Sequence, residues 1–195
     1  MIVIDQLTKK LVDHEIIKDE DKELYSFGFE QGIVLLYNLI TMIAIGYIFN
    51  MLWESVIFMV AYGVLRPYAG GYHAKTQLRC YLFSALMMVA VLWIIKHVTW
   101  NRFICFIIMT VASAIILVLA PVEDKNKPLD QIEQAVFKKR TNIVLSILIG
   151  LTVLFWFSRL KQISICISVS LGMLSVMLIL GRLKNFILRR PSISH

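Results

Sequence analysis

A histidine and a cysteine seven residues apart, His73 and Cys80, lie in a polar, glycine-containing break between apolar runs. The break reads Arg66-Pro67-Tyr68-Ala69-Gly70-Gly71-Tyr72-His73-Ala74-Lys75-Thr76-Gln77-Leu78-Arg79-Cys80. A thiolate is a nucleophile and a neighbouring imidazole generates or stabilises it, so the pair points to covalent cysteine catalysis. On an unbroken helix this spacing would put both on one face but about 10 Å apart along the axis, beyond hydrogen-bond reach. Gly70 and Gly71 tolerate backbone angles that other residues avoid, which lets His73 sit on a loop folded back over the next helix. Thr76 then caps that helix and Cys80 falls in its first turns, where the helix dipole favours a thiolate. Lys75 and Arg79 add positive potential, and Gln77 or main-chain N–H groups near the helix start are the candidate oxyanion donors. The spacing by itself leaves another reading open, in which His73 and Arg66 are interfacial anchors and Cys80 packs as a small apolar residue.

The elements that must hold this stretch are largely lipid-compatible. Hydrophobic residues make up 58% of the 195 positions and mean hydropathy is +0.74, against about 45–50% apolar residues in a soluble domain. One water-soluble core of this size cannot hide that surplus, so lipid faces part of it. Residues 33–53 form the first spanning candidate, long enough for a hydrocarbon core of about 30 Å. Residues 55–65 are short for a span and must borrow length from Arg66-Pro67, tilt, or re-enter. Further spans are expected at 81–95, 103–120, 143–157 and 163–180, with a short helix at 131–137 between the fourth and fifth. Residues 1–30 read as an amphipathic cytoplasmic or interfacial segment, in which Ile4, Leu7, Leu11 and the Ile16-Ile17 pair recur at roughly helical spacing. Asp5 and the acidic residues beyond it exclude a cleavable signal peptide. The expected organisation is an all-α, polytopic membrane protein of about six transmembrane helices, with the functional domain at 31–190 and a tail at 191–195.

Charge sets the expected orientation. The N-terminal segment, the 2–3 and 4–5 connections and the tail carry sixteen of the twenty Lys and Arg residues, and the alternate connections four. Cytoplasmic loops are enriched in Lys and Arg, so both termini and the His73–Cys80 stretch are expected in the cytoplasm. The net charge of +7 is therefore a topology signal rather than a nucleic-acid footprint. Cys80, Cys105 and Cys166 have no zinc or CxxC spacing, and no metal or cofactor is expected. Cys105 and Cys166 lie in apolar runs, as small hydrophobes do. Asn38 and Asn50 are expected to make interhelical hydrogen bonds, and His97 to sit at an interface.

Arg66-Pro67, then Gly70-Gly71-Tyr72-His73 and Cys80, together with the connection running from Ala120-Pro121-Val122-Glu123 through Lys125, Lys127, Pro128 and Leu129, resemble the accessory gene regulator B family. These are multi-pass membrane peptidases of Gram-positive quorum sensing, and the resemblance covers nearly the whole chain. It implies a cysteine endopeptidase of the bacterial plasma membrane, acting on a membrane-bound propeptide related to accessory gene regulator D. In such a reaction the cysteine releases an acidic C-terminal tail and holds the remainder as a thioester. A cysteine or serine of the peptide then closes a thiolactone or lactone ring. Carried over by motif, Cys80 is the nucleophile and His73 its base, while Arg66 and Gly71 match required positions. Gly70, Lys75 and Gln77 would support the site, and Lys125 and Lys127 would attract the acidic tail. The resemblance also implies a homodimer, while composition and the placement of charge imply contact with membrane lipid and no nucleic-acid partner. The competing class is a small transporter or peptide-export module. Such proteins place charged residues at the membrane midplane, and the inner parts of these runs have none.

Overall fold

The computed structural model describes residues 2–14, 16–72, 76–123 and 130–189 of the protein. These form seven α-helices and no strand: α1 Ile2–Asp13, α2 Lys22–Ile48, α3 Leu52–Ala69, α4 Gln77–His97, α5 Arg102–Leu119, α6 Gln131–Phe157 and α7 Lys161–Arg189. Among the described residues five helices (α2, α4, α5, α6 and α7) are long and apolar enough to cross a membrane. The fold is that of an all-α, polytopic membrane protein. α3 is the sixth long helix, but Glu54, Arg66 and Pro67 lower its apolar content.

α7 is the axis of the bundle. Within its apolar stretch 67% of the residues are buried, against 6% for α2, which lies outermost. One face of α7 packs Leu171, Leu174 and Leu178 against Leu65 of α3, Ile116 of α5 and Leu145 of α6. Its other face packs Cys166, Val169 and Met177 against Phe58 of α3 and Met88 and Leu92 of α4. Small and hydroxyl side chains let these helices approach closely. Ser164 Oγ donates to the Thr152 carbonyl at 2.8 Å, and Ser168 Oγ lies 3.1 Å from Cys105 Sγ. Cys105 and Cys166 are fully buried, in keeping with their apolar setting.

Several boundaries differ from the sequence expectation. α2 starts at Lys22 and ends at Ile48, so Trp53 belongs to α3 rather than to the first span. Asn50 sits between the two helices in the left-handed region, at φ 54, a conformation asparagine tolerates. It is a turn residue, not a rung between spans. Asn38 Nδ2 donates to Val34 within its own helix. The side-chain hydrogen bonds from α2 to its neighbours are made instead by Thr41 and Tyr81, whose oxygens are 2.8 Å apart, and by Ser55, which donates to the Met42 carbonyl at 3.1 Å. The short helix at 131–137 and the fifth span are one helix, α6. It opens on a capping box made by Asp130 and Glu133. Lys138, Lys139 and Arg140 do not interrupt it, because long basic side chains are good helix formers. α7 likewise runs past Leu180 to Arg189. The run at 55–65 does borrow length, with α3 continuing through Arg66 and Pro67.

Candidate active site

The end of α3 shapes the site. The chain leaves the helix at Gly70, with φ 74 and ψ −151, and Gly71 follows at φ 126. The first of these conformations is essentially closed to side-chain-bearing residues. The Arg66 guanidinium turns back on the chain that follows, Nη1 donating to the Gly70 carbonyl and Nη2 to the Tyr72 carbonyl at 2.6 Å. Charge-assisted donors of this fixed, planar geometry suit a clamp on two carbonyls. Arg66 thus staples the glycine loop.

The backbone of the loop is pinned from both sides. Val122 N–H donates to the Ala69 carbonyl at 2.9 Å, and Gly71 N–H donates to the Val122 carbonyl at 3.4 Å. The two separated sequence motifs, 66–80 and 120–129, therefore meet in a short parallel bridge between Gly70 and Val122. On the opposite side Tyr72 N–H donates to the Met177 carbonyl of α7 at 3.0 Å. The crossing is close enough to require Gly181, where a Cβ would lie 2.7 Å from the Gly71 carbonyl carbon and 2.8 Å from Tyr72 N. Gly181→Ala is accordingly expected to destabilise by about 1–3 kcal/mol, the usual overpacking cost. A melting curve in detergent checks this, and an unchanged midpoint would show that the loop does not need this approach.

Basic side chains pack onto the aromatic residues of the same stretch. Arg140 of α6 stands 5.5 Å from the Tyr68 ring centre, and Lys184 of α7 stands 5.4 Å from that of Tyr72. These are cation–π distances. The tyrosines join the end of α3 to the basic ends of α6 and α7.

α4 supplies the cysteine. Thr76 is the N-cap, its side chain accepting from Arg79 N–H at 3.3 Å, and Cys80 N–H donates to the Thr76 carbonyl at 3.0 Å. The expected cap is present. Because 70–72 and Thr76 are not helical, the unbroken-helix arrangement does not occur. Cys80 is the exposed cysteine, and Cys105 and Cys166 are buried. Cys80 opens onto a cavity of about 200 Å³ shared with Arg66, Tyr62, Tyr72, Phe83, Ser84, Met87, Met42 and Met177. Tyr62 stacks on Phe58 at 5.6 Å and stands one turn before Arg66. The structure thus brings Arg66, Gly70, Gly71 and Cys80 together. His73, Lys75, Lys125 and Lys127, and the side chain of Gln77, lie outside the described residues.

A family model described as accessory gene regulator B matches residues 4–179. The chain belongs to the accessory gene regulator B family. Among curated relatives it is 29% identical over 134 residues to AgrB-like protein 2 of Clostridium perfringens strain 13, covering 65% of this chain and 63% of that one. It is 26% identical over 119 residues to accessory gene regulator protein B of Staphylococcus aureus strain MW2, covering 60% and 63%. With protein FsrB of Enterococcus faecalis it shares 29% identity over 116 residues, covering 58% and 48%. The chain thus matches less than two thirds of the length of each of these relatives. No solved structure matches it.

Residues of this site that sequence reasoning missed in an accessory gene regulator B chain include Tyr62, Phe83, Ser84, Met177 and Gly181. Tyr62 and Ser84 do carry a signal, standing four residues before Arg66 and four after Cys80, on the same helix faces. Met177 acts through a backbone carbonyl, and Gly181 through the absence of a side chain.

Proposed function

We propose that the chain is a membrane-embedded cysteine endopeptidase that trims a quorum-sensing propeptide and supports closure of its ring. The observation that carries this reading is Cys80, the exposed thiol in the first turns of α4, opening onto a cavity beside the Arg66-stapled loop. Cys80 Sγ attacks the carbonyl carbon at the end of the ring segment. The C–N bond breaks, and the proton carried by His73 goes to the departing amine of the tail. The acyl group remains on Sγ as a thioester. A thiol or hydroxyl of the same peptide then attacks that carbonyl and gives its proton to His73, and Cys80 leaves as thiolate. No water is consumed in the second step, so the site must favour the internal nucleophile over solvent.

The distribution of charge supports a cytoplasmic site. Arg66, Arg79, Arg140 and Lys184 gather at the end of the bundle that holds Gly70 and Cys80, while Glu54 and Gln162 pair at the far end at 3.2 Å. Basic residues concentrate on the cytoplasmic side. Lipid covers the outward apolar faces, that of α2 above all. Lys125 and Lys127 follow Val122, which is bound to the loop, and are assigned to the acidic tail of the substrate.

The test uses purified protein in vesicles with a synthetic propeptide taken from the short reading frame beside this gene. The expected result is a truncated peptide and, on intact-protein mass analysis, an adduct of the ring segment that neutral hydroxylamine removes. A propeptide left intact, with no adduct on the protein, would overturn the proposal.

A further inference from the structure

One face of α7 meets the glycine loop and the 120–123 connection in successive turns. Met177, Gly181 and Asn185 are spaced four apart, so they line up over about 12 Å of helix. The Met177 carbonyl accepts from Tyr72 N–H at 3.0 Å, and Gly181 lets the Gly71–Tyr72 backbone pass. Asn185 Nδ2 donates to the Glu123 carbonyl at 2.7 Å. A carbonyl oxygen only accepts, so the NH₂ end of the amide must face it. The Glu123 side chain is engaged as well, its Oε1 accepting from Gln134 Nε2 of α6. Adjacent residues of the connection therefore bond in two directions. Val122 gives its N–H and its carbonyl to the end of α3 and the glycine loop, whereas Glu123 is held by α7 and α6.

We propose that Asn185 is a positioning residue for the cysteine chemistry, acting through the Glu123 carbonyl to hold Val122 against the Gly70–Gly71 loop. The proposal rests on the peptidase reading of Cys80. The bridge between Gly70 and Val122 is isolated, and the chain on both sides of it, 70–72 and 120–123, is irregular. Such a contact keeps its register only when a rigid element backs it. α7 is that element, since Leu171, Leu174 and Leu178 are buried in the bundle core before the helix reaches Asn185. Tyr72 directly precedes His73 in the chain, so the bridge also fixes the point from which the chain sets out toward the base. Asn185 is half-buried, and Arg182, Leu183 and Phe186 beside it on α7 are exposed, so its side chain fills no core space. Its loss frees the connection and the loop while the bundle stays packed.

The test compares variants of the full chain in vesicles with the synthetic propeptide. Asn185→Ala should lower kcat by about 10-fold with KM within about twofold, short of the roughly 100-fold that a 1 Å misplacement costs. Asn185→Asp keeps the size of the side chain but turns an acceptor toward the Glu123 carbonyl, so at neutral pH it should lose at least as much. A residue needed for packing alone would tolerate that change. Hydrogen exchange reads the loop without turnover: the Gly71 and Tyr72 amides should exchange several-fold faster in both variants, while those of 171–178 stay as in the wild type. The double variant Gly70→Ala, Asn185→Ala should be no slower than Gly70→Ala alone, because a bridge already broken cannot be broken again. Wild-type kcat or wild-type exchange in Asn185→Ala, an Asn185→Asp protein that works normally, or losses that multiply in the double variant overturn the positioning role and leave the cysteine chemistry standing. A wild-type protein that processes no propeptide overturns the peptidase reading and the positioning role together.

Discussion

Cys80→Ala is expected to abolish propeptide processing, by on the order of 10⁴-fold or more, the scale on which removal of a covalent nucleophile is felt. The same variant should keep its melting midpoint. Cys80 is exposed on the first turns of α4, so its truncation opens no cavity, and alanine is the best helix former. Surface substitutions of this kind stay within about 0.5 kcal/mol. The variant also settles where the site faces. Cys105 and Cys166 are buried, so a membrane-impermeant maleimide should label the wild type at Cys80 alone. Labelling is expected in inside-out vesicles and not in right-side-out ones, and it should vanish in Cys80→Ala. Processing that survives in Cys80→Ala would end the peptidase reading whatever the labelling shows. Labelling from the outer face would end the cytoplasmic assignment while leaving the chemistry intact.

The sequence was most legible where an apolar run meets a residue that must stop a helix. Thr76 as the cap of α4, the extension of α3 through Arg66, and the burial of Cys105 and Cys166 all follow from local chemistry. It misled where polarity was taken for a helix end. Lys138, Lys139 and Arg140 disfavour lipid but not helix, so a segment expected in two pieces is a single α6. Asn38 illustrates a different ambiguity, since an asparagine on a span can bond its own turn as readily as a neighbour. The parts of the site that composition could not reveal are those made by main chain across long sequence distance. The Met177 carbonyl and the Val122 backbone would act the same way under many side chains. Gly181 matters because two backbones cross there, and no local pattern announces a crossing.

Gly70→Ala is the second large effect, and it tests the loop rather than the nucleophile. Two independent costs fall on one methyl group. The backbone angles of Gly70 belong to a region that is strained by on the order of 1–3 kcal/mol for other residues. The new Cβ would also lie 2.1 Å from the Val122 carbonyl oxygen, so the chains must separate. Separation breaks the Val122–Ala69 and Gly71–Val122 hydrogen bonds and shifts the carbonyls that Arg66 holds. The bundle has other contacts to keep it folded, because α7 packs on α3, α5 and α6 over most of its length. The loop therefore moves before the bundle melts. Processing should fall by about 100-fold or more, the cost of misplacing reacting groups by about 1 Å, while the melting midpoint drops only in part. Substituting Val122 by a smaller residue should not restore activity, since the clash is with its main chain. Gly150→Ala provides the contrast: a Cβ there meets nothing within 4 Å, and the helix should be as stable as before or slightly more so. Paired melting curves and processing rates read the difference, and a Gly70→Ala protein that behaves like Gly150→Ala would show that the glycine loop is not what holds the site.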